Sequence, residues 1–193
     1  MYKDISFTWY RNKNALLTTL SHYGYSSFGE LNYHLGYGRN FGDKISIAIE
    51  GIYKLNHARH YELTHSFVLD ISACYPISPK FILTISVHNT LRLKYGIIGK
   101  EIIPMRFDFH LGYFPNKMIG GYLFCNKELP GQMNIGIGLA YSLNKYLILN
   151  GECSLMGIGI GMHLPWKQLM FGIHTKWNYR IGFSPECHLS YFL

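Results

Sequence analysis

The sequence predicts an all-β protein, an antiparallel up-and-down transmembrane β-barrel of about 12 to 14 strands. Three observations carry that prediction. Along 105–113, Met105, Phe107, Phe109, Leu111 and Tyr113 alternate with Arg106, Asp108, His110 and Gly112. Successive side chains of an extended strand point to opposite faces, so this strand has one apolar, aromatic face and one polar face. Charged residues make up 15% of the chain and aromatic ones 16%, whereas soluble domains carry roughly 25% charge. No run approaches the roughly 18 apolar residues of a transmembrane helix. The competing reading is a soluble β-sandwich or lipocalin-like barrel, which needs more charge on its wet surface than this chain has.

The same design recurs along the chain. Strands are predicted over 5–10 and 15–23, separated by the polar turn 11–14, with a loop at 24–27. Leu31, Tyr33, Leu35 and Tyr37 alternate with Asn32, His34, Gly36 and Gly38, and Gly42-Asp43-Lys44 turns the chain. Ile45, Ile47, Ile49, Gly51 and Tyr53 line one face of the next strand, and 56–60 reads as a loop. Tyr61, Leu63, His65, Phe67, Leu69 and Ile71 alternate with Glu62, Thr64, Ser66, Val68, Asp70 and Ser72. After Ser78-Pro79-Lys80, Phe81, Leu83, Ile85 and Val87 oppose Thr84, Ser86 and His88. Residues 90–104 form the longest irregular stretch.

Beyond the 105–113 strand, Pro115-Asn116-Lys117 turns into a strand over 118–125, and 126–131 reads as a loop. Met133, Ile135, Ile137, Leu139 and Tyr141 alternate with small and polar residues. Asn144-Lys145 turns into a strand over 146–151, with a loop at 152–156. Ile158, Ile160, Met162 and Leu164 alternate with Gly157, Gly159, Gly161 and His163. After Pro165-Trp166-Lys167, Leu169, Phe171, Ile173, Thr175, Trp177 and Tyr179 share a face. A loop at 180–185 leads to the last strand, with Cys187, Leu189, Tyr191 and Leu193 outward. Tyr53, Tyr141, Trp166, Trp177 and Tyr179 near strand ends fit interfacial girdles.

Two regularities follow. The face opposite the apolar one carries Gly, Ser, Thr, Asn and His more than Lys and Glu, which suits a narrow lumen. Tight turns containing Lys13, Lys44, Lys80, Lys117, Lys145 and Lys167 alternate with looser loops near 24, 58, 97, 129, 154 and 182. Short periplasmic turns and longer extracellular loops are the outer-membrane pattern. The count is about thirteen strands, whereas bacterial single-chain barrels close with an even number and both termini in the periplasm. Residues 1–193 therefore read as one outer-membrane barrel domain that lacks an N-terminal strand and a signal peptide.

The net charge of +7 comes from scattered residues, several of them in turns. Such ends stay wet near lipid headgroups, whereas a nucleic-acid binder clusters its cations in a patch. Cys74, Cys125, Cys153 and Cys187 form no CxxC. They read as small apolar strand residues, with a disulfide left open because the cell envelope is oxidising.

The alternation places Glu50, Asp70, Arg106, Asp108, His110 and His163 inward. Buried charges need partners or water. Arg106 and Asp108 share a face and are candidates to pair. These six side chains form either a polar constriction that contacts a ligand or a network that rigidifies the lumen, and rigidification is the simpler role. A nucleophile needs a base and an orienting polar group in contact; Ser86 and His88 share a face, but so would many pairs in a strand-rich chain. No spacing identifies a metal site. The glycines at 157, 159 and 161 lie within a strand and lack the following helix of a phosphate loop. No enzyme activity and no cofactor are expected.

Several phrases, in order, resemble a family of Bacteroidetes outer-membrane barrels related to FadL-type channels and to the PorV/PorQ barrels of type IX secretion. They are Leu20-Ser21-His22-Tyr23-Gly24-Tyr25-Ser26; 35–47, reading Leu-Gly-Tyr-Gly-Arg-Asn-Phe-Gly-Asp-Lys-Ile-Ser-Ile; Ser86-Val87-His88-Asn89; Ile103-Pro104; and Gly182-Phe183-Ser184-Pro185. The resemblance implies a FadL-like barrel of fourteen strands without the family's N-terminal region, which in FadL-type channels helps to plug the lumen. Where such barrels end in an outward Phe, Leu193 holds that register. The implied function is passive uptake of a small hydrophobic compound. The alternative is a non-transporting barrel that anchors or supports a type IX secretion or surface-protein complex. Expected partners are outer-membrane lipid and either that compound or a secretion-complex protein, with no nucleic acid.

Overall fold

A computed structural model describes residues 2–25, 28–42, 44–58, 63–92, 94–95, 101–180 and 182–191. The strands are β1 (Tyr2–Arg11), β2 (Asn14–Tyr25), β3 (Phe28–Phe41), β4 (Ile45–Ala58), β5 (Thr64–Ser78), β6 (Phe81–His88), β7 (Lys94–Tyr95) and β8 (Glu101–Ile102). They continue with β9 (Met105–Tyr113), β10 (Ile119–Leu129), β11 (Met133–Asn144), β12 (Leu147–Ser154), β13 (Gly157–Trp166), β14 (Leu169–Asn178) and β15 (Gly182–Tyr191). No described residue is helical.

Thirteen strands form one up-and-down antiparallel sheet in the order β1-β2-β3-β4-β5-β6-β9-β10-β11-β12-β13-β14-β15. β7 and β8 pair as a separate two-stranded ribbon within the β6–β9 connection. Among the described residues β1 and β15 are edges, and the sheet is not closed. Pro185 lies in β15, and proline is tolerated in edge strands.

The period-2 pattern is realised as an inverted burial pattern. In β11, Met133, Ile135, Ile137 and Leu139 are exposed, and Asn134, Gly136 and Gly138 are buried. β13 repeats this, with Ile158 and Ile160 exposed and Gly157 and Gly159 buried. Among the described residues the buried hydrophobic ones are Ile52, Val68 and Phe124. The buried polar ones are Ser21, Asn56, Ser66, Asp70, Asn89, Asp108 and Asn134. Ile5, Leu139 and Ile160 stand 75%, 64% and 65% exposed. His65 falls on the apolar face, where the Tyr53 hydroxyl meets its Nδ1 at 2.5 Å.

Several strands are longer than the side-chain pattern suggests. β4 runs through Ala58, β10 through Leu129 and β12 through Ser154, and β15 starts at Gly182. The loops predicted at 56–60, 126–131, 152–156 and 180–185 are therefore partly strand. Polar residues such as Asn126 and Glu152 interrupt the apolar alternation, but the ladder is made by the backbone and continues through them. As a result Leu155 and Met156 alone join β12 to β13. The strict contrast between tight turns at one end and loose loops at the other does not hold there. Beyond Ser72, β5 keeps alternating through Pro76 to Ser78. The stretch predicted as wholly irregular, 90–104, includes the β7–β8 ribbon. Tyr61, Glu62, Asp43 and the terminal Phe192-Leu193 lie outside the described residues.

Contacts divide the chain into two compact units. One is Met1–Ala73 with Ser86–Phe107 and Glu128–Pro130; the other is Cys74–Ile85 with Asp108–Lys127 and Gly131–Leu193.

Candidate functional site

The polar face of the second unit is built on two columns of small residues. Facing residues on β10 and β11 pair Phe124 with Gly136 and Tyr122 with Gly138. On β11 and β12, Gly136 meets Ser154, Gly138 meets Glu152 and Ala140 meets Asn150. On β12 and β13, Ser154, Glu152 and Asn150 oppose Gly157, Gly159 and Gly161. On β14 those glycines meet Asn178, Lys176 and His174. Large and small residues thus alternate across the strands, and the large side chains of β10, β12 and β14 lie over the glycine columns of β11 and β13.

The glycines are required by these close approaches. A Cβ on Gly136 meets the Phe124 ring, and one on Gly138 meets the Tyr122 ring. A Cβ on Gly159 comes within 2.7 Å of Glu152 Cγ and 3.0 Å of His174 Nε2. Across that bare position Lys176 Nζ reaches Glu152 Oε1 at 2.9 Å. Aromatic side chains covering cross-strand glycines are a recognised way to stabilise a sheet where a strand has no side chain of its own.

Beside this floor lies a cavity of about 510 Å³. Its apolar wall is Ile82, Phe114, Tyr122 and Phe124; its polar groups are Thr84, His110, Asn126, Asn134, Glu152 and Lys176. His110 stacks on Phe124 with ring centroids 6.0 Å apart and planes at 22°. Phe114 fills the space left by Gly112 and Gly120, where a Cβ falls 2.7 and 2.8 Å from its ring. Asn126 Nδ2 donates to Asp108 Oδ1 at 2.7 Å. The neighbouring Asn134 Oδ1 is buried without a hydrogen-bond partner. A mostly apolar cavity of this size with a few converging polar groups has the chemistry of a small-molecule pocket.

The first unit carries a different arrangement, in which acids meet histidines. His34 Nδ1 lies 2.8 Å from Glu50 Oε1, and His88 Nδ1 lies 2.5 Å from Asp70 Oδ2. The backbone N–H of Asn89 donates to Asp70 Oδ1 at 2.9 Å. Asn89 takes the left-handed conformation at φ 52° and is 1% exposed. Its Nδ2 donates to the carbonyl of Ile103 at 2.7 Å, which ties the two ends of the β6–β9 connection together. Thr90 donates to the Leu69 carbonyl through both its N–H and its hydroxyl, each at 2.9 Å.

The six sequence candidates divide between these units. Glu50 and Asp70 belong to the acid–histidine pairs, and Arg106 is half-buried within electrostatic reach of Asp70. Asp108 is buried and bound by Asn126, and His110 lines the cavity. His163 is half-buried opposite Gly172, outside the cavity lining. Ser86 and His88 both border a second cavity of about 340 Å³ in the first unit. All four cysteines are free, with Cys153 and Cys187 exposed. Among the described residues no group of three or more His, Cys, Asp or Glu is placed to hold a metal ion.

Sequence reasoning missed Glu152, Lys176 and the aromatic trio of Phe114, Tyr122 and Phe124. Extending the alternation of Leu149 and Gly151 to Cys153 puts Asn150, Glu152 and Ser154 on the polar face. That signal was present and was masked by reading 152–156 as a loop. No family model matches the chain, and no curated protein matches it.

Proposed function

We propose that this chain is an outer-membrane β-barrel protein of the FadL-like kind that passes a small hydrophobic compound and carries out no catalysis. The observation behind this reading is the inverted burial: isoleucines, leucines and aromatics stand outside while Asn, Ser, Asp and Gly are buried. In water such a surface is a large apolar liability; in hydrocarbon it is the favoured outer face of a barrel strand. Most strands of the sheet also reach or exceed the roughly 9–11 residues that a tilted membrane strand needs. The amphipathic cavity beside His110 and Phe124 supplies a place for a compound with an apolar body and one or two polar atoms.

An antiparallel ring closes with an even number of strands, so closing thirteen takes one more strand between β1 and β15 or a parallel seam. The second reading, a non-transporting barrel that anchors a secretion or surface complex, is favoured by the Glu152–Lys176 bridge and the aromatic-covered glycines. Those side chains cover the glycine columns of the polar face.

The test begins with protein extracted from membranes in mild detergent and run on cold SDS gels, boiled and unboiled. A faster unboiled band supports a closed barrel. Release by carbonate with no shift sinks the membrane reading. Vesicles containing the protein are then loaded with a small apolar dye. Accelerated flux that Phe124→Ala increases supports passage, whereas no flux together with a stably co-purifying protein supports the second reading.

A further inference from the structure

A cleft of about 410 Å³ lies between the β9–β10 turn and the β11–β12 turn, lined by Lys117, Met118, Ser142, Asn144, Lys145 and Ile148. Both turns are rigidly made. Asn116 Oδ1 accepts the N–H groups of Met118 and Ile119 at 2.8 and 2.9 Å. Asn144 Oδ1 accepts the N–H of Tyr146 at 2.8 Å. Ser142 N–H donates to the Met118 carbonyl at 2.7 Å, joining the two walls. The ladder with β12 shifts register between Ser142 and Asn144. Irregularities of this kind re-aim side chains at sheet ends.

The lining is a set of donors without a countercharge. Lys117 and Lys145 are exposed, and neither is in an ion pair among the described residues. Lys145 is held over the Tyr146 ring, with Nζ 4.8 Å from the centroid. Asn144 commits its acceptor to the turn, which leaves its amide donors for the cleft. Ser142 adds a hydroxyl, and no lining residue is acidic. Other lysines of this unit are used differently: Lys176 pairs with Glu152, and Lys127 donates to the Gly131 carbonyl at 2.6 Å.

We infer that this cleft binds a phosphate group. Two ammonium groups, a hydroxyl and an amide match an anion with several strong acceptor oxygens better than they match a single carboxylate. Met118 and Ile148 give the cleft an apolar wall. The cleft opens at the turns that end the strands, which fits a phospholipid headgroup at the membrane surface reaching the two lysines. The lipid as source rests on the membrane reading proposed above; the phosphate chemistry does not.

The test uses the full chain in non-ionic detergent. Native mass spectrometry reads retention of phosphatidylglycerol against phosphatidylcholine, and titration calorimetry reads inorganic phosphate. The expected result is preferential retention of phosphatidylglycerol, displaced by phosphate. Lys117→Gln with Lys145→Gln should weaken it by about tenfold or more, and Lys80→Gln with Lys167→Gln should leave it unchanged. Phosphate binding with the same variant dependence but no lipid preference supports the site and assigns it to a soluble phosphate. No binding of either ligand, or equal loss in the Lys80/Lys167 variant, overturns the proposal, because diffuse surface charge then explains any attraction. Heat-modifiability of the same samples reports separately on the membrane reading.

Discussion

Glu152 of β12 and Lys176 of β14 meet at 2.9 Å across β13, over the one residue between them that has no side chain, Gly159. The pair spans two strand spacings, farther than a cross-strand neighbour reaches when a side chain stands between. Its existence depends on the glycine.

Gly159→Val should therefore separate the pair and crowd His174. Overpacking of this kind costs about 1–3 kcal/mol. Gly151→Ala, whose Cβ meets nothing nearer than the Gly159 carbonyl oxygen at 3.9 Å, should change stability by no more than about 0.5 kcal/mol. Denaturant midpoints in detergent compare the two. Equal effects would show that Gly159 is not a spacer.

Asp70 accepts from the Asn89 backbone and contacts His88, so Asp70→Asn removes a charge with two partners while keeping its volume. Hydrogen bonds to charged groups contribute about 1.5–3 kcal/mol, and a loss of that order is expected. Ser66 Oγ, by contrast, is buried without a partner. Ser66→Ala should be neutral or stabilising, because it removes an unsatisfied hydroxyl. Unfolding of both variants in one detergent checks the contrast.

Ile137 is 54% exposed in the middle of the apolar face of β11. In a bilayer Ile137→Lys should cost about 2–4 kcal/mol at the midplane. On a water-exposed sheet the same change should stay within about 0.5 kcal/mol. Folding measured into lipid vesicles separates the cases, and a negligible cost would count against the membrane reading.

Cys153 and Cys187 are free and exposed on the apolar face. In vesicles both should resist a membrane-impermeant maleimide and react with a lipid-soluble one, and both should react readily with either once the protein is denatured. Fast labelling of the folded protein by the impermeant reagent would place that face in water.

Much of the sheet was legible because a strand's side-chain period is two and this chain keeps it. The strand from Met105 to Tyr113 has those same bounds in the structure. The thirteen predicted strands correspond to the thirteen of the main sheet. Strand ends were less legible. Asn126 and Glu152 look like loop residues by polarity, but their backbones belong to ladders and their side chains to the polar face.

The site was legible only in part. Asp70, Asp108 and His110 could be assigned a face from parity alone. Their partners could not, since His88, Asn126 and Phe124 lie on the neighbouring strands β6 and β10 and pairing depends on register. The sequence by itself determined the alternation, the two-faced strands and the count. The tertiary structure decided which side chains lie across which glycines, that Glu152 finds Lys176, and that Lys117 and Lys145 border one cleft. The physical reason is that face follows from a local period, whereas contact between strands follows from hydrogen-bond register and bulges that no single strand encodes.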